Sequence, residues 1–373
     1  MKIGITCYPT FGGSGVIASE LGIELAKRGH HVHFISYELP FRINKFYKNI
    51  YFHEVEILEY PLFKYPPYTL SLSVKMADIF ESNGLDIMHV HYAIPHAASA
   101  YLAKKILNDN VNFKFITTLH GTDITIVGNH SSFYKLTKFC IESSDGVTSV
   151  SNYLRDLTIK TFNTKKEIQV IYNFVDTKKY KRKFEDKKKL GIVKGDEVGI
   201  IHISNFRPVK KIKNVIEVFC KINKNLKSKL LLIGDGPDIG FAKEFVNRLG
   251  LNEKVVFLGR KDNIIPFLNS CDLCLLPSKS ESFGLSALEA LSCGIPVIGT
   301  SIGGLREVVI DGFNGYLFDP NDVDKMAEAG LEILSNKDNY EKFSENARKR
   351  ALEFDSDKIV PKYLDYYKKI IKT

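Results

Sequence analysis

From end to end the chain alternates short, β-branched apolar runs with stretches of helical periodicity, a pattern that points to parallel sheets covered by helices. The first half carries the runs "MKIGITCYP", "HVHFISYE", "IYFHEVEI", "DIMHVHYA", "FKFITTLHG", "GVTSVS" and "IQVIYNF". A second series then starts afresh with "VGIIHISNF" and continues through "KLLLIGDG", "KVVFLGR", "DLCLLPS", "PVIGTS" and "GYLFD". Each series can close its own sheet. The expected fold class is therefore α/β, with two Rossmann-like domains facing a central cleft. Their expected bounds are residues 1–173, a basic, turn-rich connector at 174–195, and residues 196–352. A helical segment at 353–373, interrupted by Pro361, is expected to kink or restart and to pack back on the first domain.

In sheets of this kind ligands bind beyond the carboxyl ends of the strands. The unusual residues of this chain follow its strands: Gly12 to Gly15, His120 to Asp123, Asn205 to Lys211, Gly234 to Gly236 and Ser280 to Leu285.

Composition narrows the chemistry. With 373 residues, 44% of them apolar, the chain can bury two cores. It holds no apolar run of membrane-spanning length, and its first strand begins at once without the apolar core of a signal peptide, so a cytoplasmic protein with no stable membrane association is expected. Six cysteines scattered among apolar neighbours fit buried, reduced thiols. The pair in "CDLC", Cys271 and Cys274, lies on a strand pattern where residues three apart face opposite ways, which argues against zinc. A net charge of +9 suits a phosphorylated substrate as well as a solubilising surface. Aromatic stacking motifs for nucleic acid are absent, so no nucleic-acid partner is expected. An assembly of identical subunits stays open.

Four loops carry candidate chemistry. "YPTFGGSGVIASELGIELAKRGH" reads as a strand end, a glycine turn and a helix whose first N–H groups favour an anion, with Gly13 and Ser14 nearest the ligand. Its Gly13 to Ala18 also satisfies G-x-G-x-x-A, and Glu38 follows near the next strand end, so a nicotinamide-dependent oxidoreductase is a rival reading. "HISNFRPVKK" ends a strand with a cationic loop, Arg207, Lys210 and Lys211. Cations leading into the positive end of a helix oppose its dipole, which favours anion binding over a local structural purpose. In "SESFGLSALEALSCG", Gly284 turns a loop into a helix, and the N–H groups of Ser282 to Leu285 are suited to a phosphate. Glu281 in that loop can accept hydrogen bonds from sugar hydroxyls. Glu289, two turns inside the apolar helix, needs a polar partner if buried, and a ribose diol is a good one.

The histidines divide into two kinds. His89 and His91 share one face of a strand and invite a metal reading with His120, yet no carboxylate lies close in sequence, and hydrogen-bonded core residues are the plainer reading; no metal site is expected. His120 stands with Gly121, Thr122 and Asp123 at a strand's carboxyl end, where it could bond a sugar hydroxyl or orient an acceptor.

Together, Gly12-Gly13-Ser14-Gly15, His120, the Arg207/Lys210 loop and "ESFGLSALE" resemble the retaining glycosyltransferases of family four, over essentially the whole chain. The resemblance implies the GT-B fold and matches the family's E-x(7)-E motif to Glu281 and Glu289. It implies catalytic roles for His120, Arg207, Lys210 and Glu281. Donor contacts fall to Gly13, Ser14, Asn205, Lys211, Ser282, Phe283, Gly284, Leu285 and Glu289. The segments "FHEVEI", "YPPY", "HVHYAIPHA", "TTLHGTDIT" and "YNFVD" are similar to those members that move N-acetylglucosamine from UDP-N-acetylglucosamine to the hydroxyl of L-malate in bacillithiol biosynthesis, with no cofactor or catalytic metal. Acceptor contacts are then expected from Ser14, Tyr92, Thr122 and Arg207, with Lys138 as an alternative. One departure stands out. The family usually carries arginine five residues before its catalytic lysine, where this chain has Asn205; Arg207 either supplies that charge or meets malate.

Overall fold

Both apolar series fold into fully parallel sheets. The computed structural model describes residues 1–10, 12–58, 60–107, 111–183 and 190–373. Two units result, Met1–Tyr172 together with Asp357–Thr373, and Asn173–Ser356.

The first unit runs β1 (Lys2–Thr6), α1 (Gly13–Lys27), β2 (His31–Ser36), β3 (Ile50–Glu54), α2 (Tyr68–Asn83), β4 (Ile87–His91), α3 (Ala98–Ile106), β5 (Phe115–Leu119), α4 (Thr122–Thr125), α5 (Ser131–Ser143), β6 (Gly146–Ser149), α6 (Asn152–Phe162) and β7 (Ile168–Val170). Its sheet has the order β3-β2-β1-β4-β5-β6-β7. The chain winds outward one way from β1 and returns to start the other wing at β4, so β1 and β4 flank the point where strand order reverses. Every residue of β4 and of β5 is buried, as strands covered on both faces must be.

The second unit repeats the plan with β8 (Val198–Ile203), α7 (Ile212–Asn223), β9 (Ser228–Ile233), α8 (Ile239–Arg248), β10 (Val255–Gly259), α9 (Ile265–Asn269), β11 (Leu273–Leu276), α10 (Leu285–Ser292), β12 (Val297–Thr300), β13 (Gly315–Phe318), α11 (Val323–Leu334) and α12 (Lys337–Ala351). The order β10-β9-β8-β11-β12-β13 puts the reversal between β8 and β11. Helix α7 shows why the sequence folds this way: Ile212, Val215, Ile216, Phe219 and Ile222 recur at helical spacing and join Ile200, Leu230, Leu232 and Leu273 in the core.

Two expectations need revision. The segment after residue 173 is not a solvated connector where it is described. Phe174, Val175 and Tyr180 are buried, Arg182 donates to Cys271 O (2.7 Å) and Asp272 Oδ1 (3.1 Å), and Arg348 of α12 donates to Tyr180 O (2.8 Å) and Thr177 O (2.9 Å). Its lysine-rich part at 184–189 lies outside the described residues.

The C-terminal segment is one helix, α13 (Ser356–Lys372), with Pro361 inside it rather than a restart. The missing proline N–H costs about 3 kcal/mol. Burial of Ile359, Val360, Tyr363, Tyr367 and Ile370 on the first unit offsets that cost. Tyr366 Oη accepts from Val147 N (3.0 Å), and Tyr367 Oη bonds His89 Nδ1 (2.7 Å), so polar contacts fix the helix as well.

Candidate active site

In the first unit the loop after β1 enters α1 through Gly12 to Gly15. A Cβ on Gly15 would stand 2.4 Å from Thr10 O and 2.7 Å from Tyr8 O, so only glycine lets the helix start this close to the strand end. Ser14 then meets Tyr92, which follows β4, with Oγ and Oη 2.7 Å apart. Tyr92 holds φ at +86°, a strained backbone for a tyrosine, and its ring packs edge-on against Tyr8 (5.6 Å) and lies 5.2 Å from His120.

The loop after β5 supplies His120, Gly121 and Thr122. The buried Asp123 carboxylate accepts from Ala93 N (3.1 Å), His120 N (3.2 Å) and Gly121 N (2.9 Å), tying the loops after β4 and β5 together. Burial pushes its pKa up to about 6 against those hydrogen bonds. His120 Nε2 lies 2.8 Å from His91 Nδ1, and burial lowers the His120 pKa to about 3, so the imidazole is neutral. Among the described residues its Nδ1 has no partner. Ser14, Tyr92, His120 and the start of α4 at Thr122 are thus gathered at one end of this sheet, beside the strand reversal. His89 is the core residue expected, bonding Tyr367 through Nδ1 and Thr118 Oγ1 through Nε2 (2.6 Å).

In the second unit the loops after β8 and β11 are joined by Lys279 N donating to Val209 O at 2.7 Å. That link carries Lys210 to Glu281: Lys210 Nζ donates to Glu281 Oε1 at 2.6 Å, and Ser278 Oγ donates to the same oxygen at 2.7 Å. Both partners are mostly buried, the lysine side chain 21% and the glutamate 11% exposed, so water screens the pair little. Gly303 makes the Glu281 backbone approach possible, since a Cβ there would meet Glu281 O at 2.3 Å. Beneath, Gly234 and Gly236 let the loop after β9 pass against Ser204 and Asn205, with any Cβ at 1.7 and 2.0 Å from their carbonyl oxygens. Asn205 and Arg207 are exposed.

Gly284, at φ +96°, caps α10, and the first helical bond is Leu288 N to Gly284 O (3.1 Å). The N–H groups of Leu285, Ser286 and Ala287 precede it and have no intrahelical acceptor, as at the start of any helix.

Three site expectations change. Phe283 is 2% exposed and packs on Phe354, so its side chain belongs to the core and only its backbone can serve a ligand. Lys211 turns its ammonium to Asn321 Oδ1 (2.5 Å), away from the Lys210–Glu281 pair. Glu289, 7% exposed, already has a protein partner, because Tyr180 Oη donates to its Oε1 at 2.9 Å. Tyr180, Ser278, Gly303 and the role of His91 were not singled out from the sequence. The glycine pair after "PVIGTS" was a readable signal for Gly303; nothing in the pattern marked Tyr180, which comes from 109 residues away.

The Glycosyltransferase Family 4 model matches residues 11–179, and the Glycosyl transferases group 1 model matches residues 182–350. N-acetyl-alpha-D-glucosaminyl L-malate synthase of Bacillus anthracis is 47% identical over 375 aligned positions, covering 100% of this chain and 98% of the relative. The chain belongs to the family-four glycosyltransferases. An uncharacterized glycosyltransferase of Methanocaldococcus jannaschii, MJ1178, is 31% identical over 95% of this chain and 93% of its own length. The fold of this glycosyltransferase is GT-B. It is similar to sucrose-phosphate synthase from Thermosynechococcus elongatus (TM-score 0.81, 20% identity, 100% of this chain and 99% of that one). It is also similar to Anabaena Alr3699/HepE in complex with UDP and glucose (TM-score 0.80, 21% identity, 98% and 99%). Membership in the family replaces the oxidoreductase reading: Gly15 serves the close approach to Tyr8 and Thr10, and Glu38 is exposed. No helix among the described residues is long and apolar enough to cross a membrane.

Proposed function

We propose that this glycosyltransferase moves N-acetylglucosamine from UDP-N-acetylglucosamine to the hydroxyl of L-malate with retention of the α configuration, the first step of bacillithiol biosynthesis, in the cytoplasm. Identity of 47% along the whole chain to a relative named for that product carries the reading.

The chemistry is one of charge. As the sugar becomes oxocarbenium-like, UDP departs with growing negative charge. Lys210, Arg207 and the N–H groups at the start of α10 are the donors suited to bind that charge more tightly in the transition state than in the substrate. Lys210 is held in reserve by Glu281 (2.6 Å), and a diphosphate competes for the same ammonium. Glu281 Oε2 has no hydrogen-bond partner among the described residues and can accept from a sugar hydroxyl. Glu289 is assigned to the ribose and His120 to a hydroxyl of the sugar. The malate hydroxyl attacks on the face that UDP leaves, a diphosphate oxygen takes its proton, and no enzyme carboxylate acts as a nucleophile. Ser14, Tyr92 and Thr122 are assigned to malate, with Arg207 serving either malate or the diphosphate. Charge compensation by these groups requires no metal or cofactor.

The test is UDP release from UDP-N-acetylglucosamine with and without L-malate, in buffer containing a chelator, with the product's anomeric configuration read by proton NMR. Malate-dependent release of UDP with an α-linked product supports the reading. Release that ignores malate, or is abolished by the chelator, overturns it. Arg207→Ala resolves the remaining choice, raising KM for malate in one case and for the donor in the other.

A further inference from the structure

We propose that His91 is a positioning residue that holds His120 in its Nδ1–H tautomer, so that His120 presents a hydrogen-bond donor to an oxygen of the bound sugar. The sugar in this statement rests on the proposed function; the hold of His91 on His120 does not.

His91 lies at the end of β4, wholly buried, with its Nδ1 2.8 Å from His120 Nε2. Two neutral imidazoles at that distance share one proton, which couples their tautomers. Burial lowers the His91 pKa well below its ordinary value, as it does for His120, so both rings are neutral. If the proton sits on His91 Nδ1, then His91 Nε2 is a bare lone pair, His120 Nε2 accepts, and His120 Nδ1 carries hydrogen. If it sits on His120 Nε2, then His91 Nε2 carries an N–H and His120 Nδ1 can only accept.

The surroundings of His91 decide between them. Its Nε2 is buried and has no hydrogen-bond partner among the described residues. A buried donor without an acceptor is rarer than a buried acceptor without a donor, so the bare lone pair is the cheaper orphan. His89, stacked on His91 at 4.4 Å, cannot relieve it, because Tyr367 and Thr118 occupy both His89 nitrogens. His96 shows the same solution next door. Its Nδ1 faces the carbonyl oxygen of His91 at 2.5 Å and must therefore carry hydrogen, and its Nε2 is likewise buried without a partner among the described residues.

Stacking fixes the ring planes: His120 lies 5.1 Å from His91 at 24°. His91 thereby governs His120 as a second group governs a catalytic histidine elsewhere, by choosing which nitrogen holds hydrogen.

The experiment reads the tautomer directly. Protein labelled with 15N-histidine is examined by long-range proton–nitrogen NMR, with His120 assigned by the loss of its signals in His120→Gln. Wild type is expected to show the Nδ1–H form. His91→Asn puts an amide N–H near the lost Nδ1 and should keep that form, with kcat within about twofold of wild type. His91→Gln reaches toward the Nε2 position instead; it should release His120 to a mixture of tautomers and lower kcat about tenfold, the loss of one hydrogen bond to substrate, with an unchanged circular dichroism spectrum. An Nε2–H His120 in wild type, or identical behaviour of the Asn and Gln variants, overturns the proposal. A wild type that shows the Nδ1–H form yet transfers no sugar faults the proposed function while His91's hold on His120 stands.

Discussion

Lys210 Nζ and Glu281 Oε1 stand 2.6 Å apart, although 71 residues separate them in the chain and they leave different strands of the second sheet. The pair exists because Lys279 N bonds Val209 O and Gly303 admits the Glu281 backbone, so main-chain contacts place the Lys210 ammonium. Its net stability worth is small, because desolvation offsets much of the attraction; under the proposed function the lysine is already desolvated when a phosphate competes for it.

Replacing Lys210 by Ala should lower kcat by a factor on the order of a hundred to a thousand, the usual loss when one donor to developing charge is removed. Steady-state UDP release measures it. Turnover within a few fold of wild type would take Lys210 out of the mechanism.

Glu289 and Tyr180 separate ligand binding from folding. Tyr180→Phe removes one buried hydrogen bond and should cost about 1 kcal/mol of stability while leaving UDP affinity nearly unchanged. Glu289→Ala should weaken UDP binding about tenfold or more by calorimetry, and should also cost stability by removing the Glu289 acceptor of the Tyr180 hydroxyl. Equal UDP affinity in Glu289→Ala and wild type would remove the ribose assignment.

Gly15→Ala should be poorly tolerated, since its Cβ would stand 2.4 Å from Thr10 O and 2.7 Å from Tyr8 O, both backbone atoms. A loss of about 1–3 kcal/mol is expected, read as a lower urea midpoint. Gly29→Ala, where open space surrounds the Cβ position but φ is +85°, tests backbone strain without a clash and should cost less.

Acid should destabilise the protein from about pH 6.5 downward. Burial lowers the pKa of His89 and His120 to about 3 and of His96 and His202 to about 4, from an ordinary 6.5, and that of His91 further still. The unfolded chain therefore takes up protons first, and the stability these groups confer as neutral rings is lost as pH falls from about 6.5 toward 4. Asp123 works the other way, since its pKa is raised to about 6 and the folded state protonates first, but it is one carboxyl against five imidazoles. Urea midpoints at pH 7, 6, 5 and 4.5 measure the slope. His96→Asn, which retains a donor for His91 O, should make it shallower by up to one proton; an unchanged slope would show that His96 contributes nothing to it.

Much of this protein was written in its one-dimensional pattern. Alternating apolar runs and helical periods determined two parallel sheets, because strands buried on both faces need continuous apolar residues and helices need an apolar stripe every three or four positions. The glycine turn after β1 was legible too, since a helix that starts against the preceding loop leaves no room for a Cβ at Gly15. The partners of the site residues were not. Tyr180 for Glu289, His91 for His120, and the core packing of Phe283 depend on which segments meet across a sheet end, at separations of 109, 29 and 71 residues. A local pattern reports what a side chain requires, a polar partner or an apolar contact. Only tertiary structure decides which distant group meets that need, because hydrogen bonds and packing act over a few ångströms of space, whatever the distance along the chain.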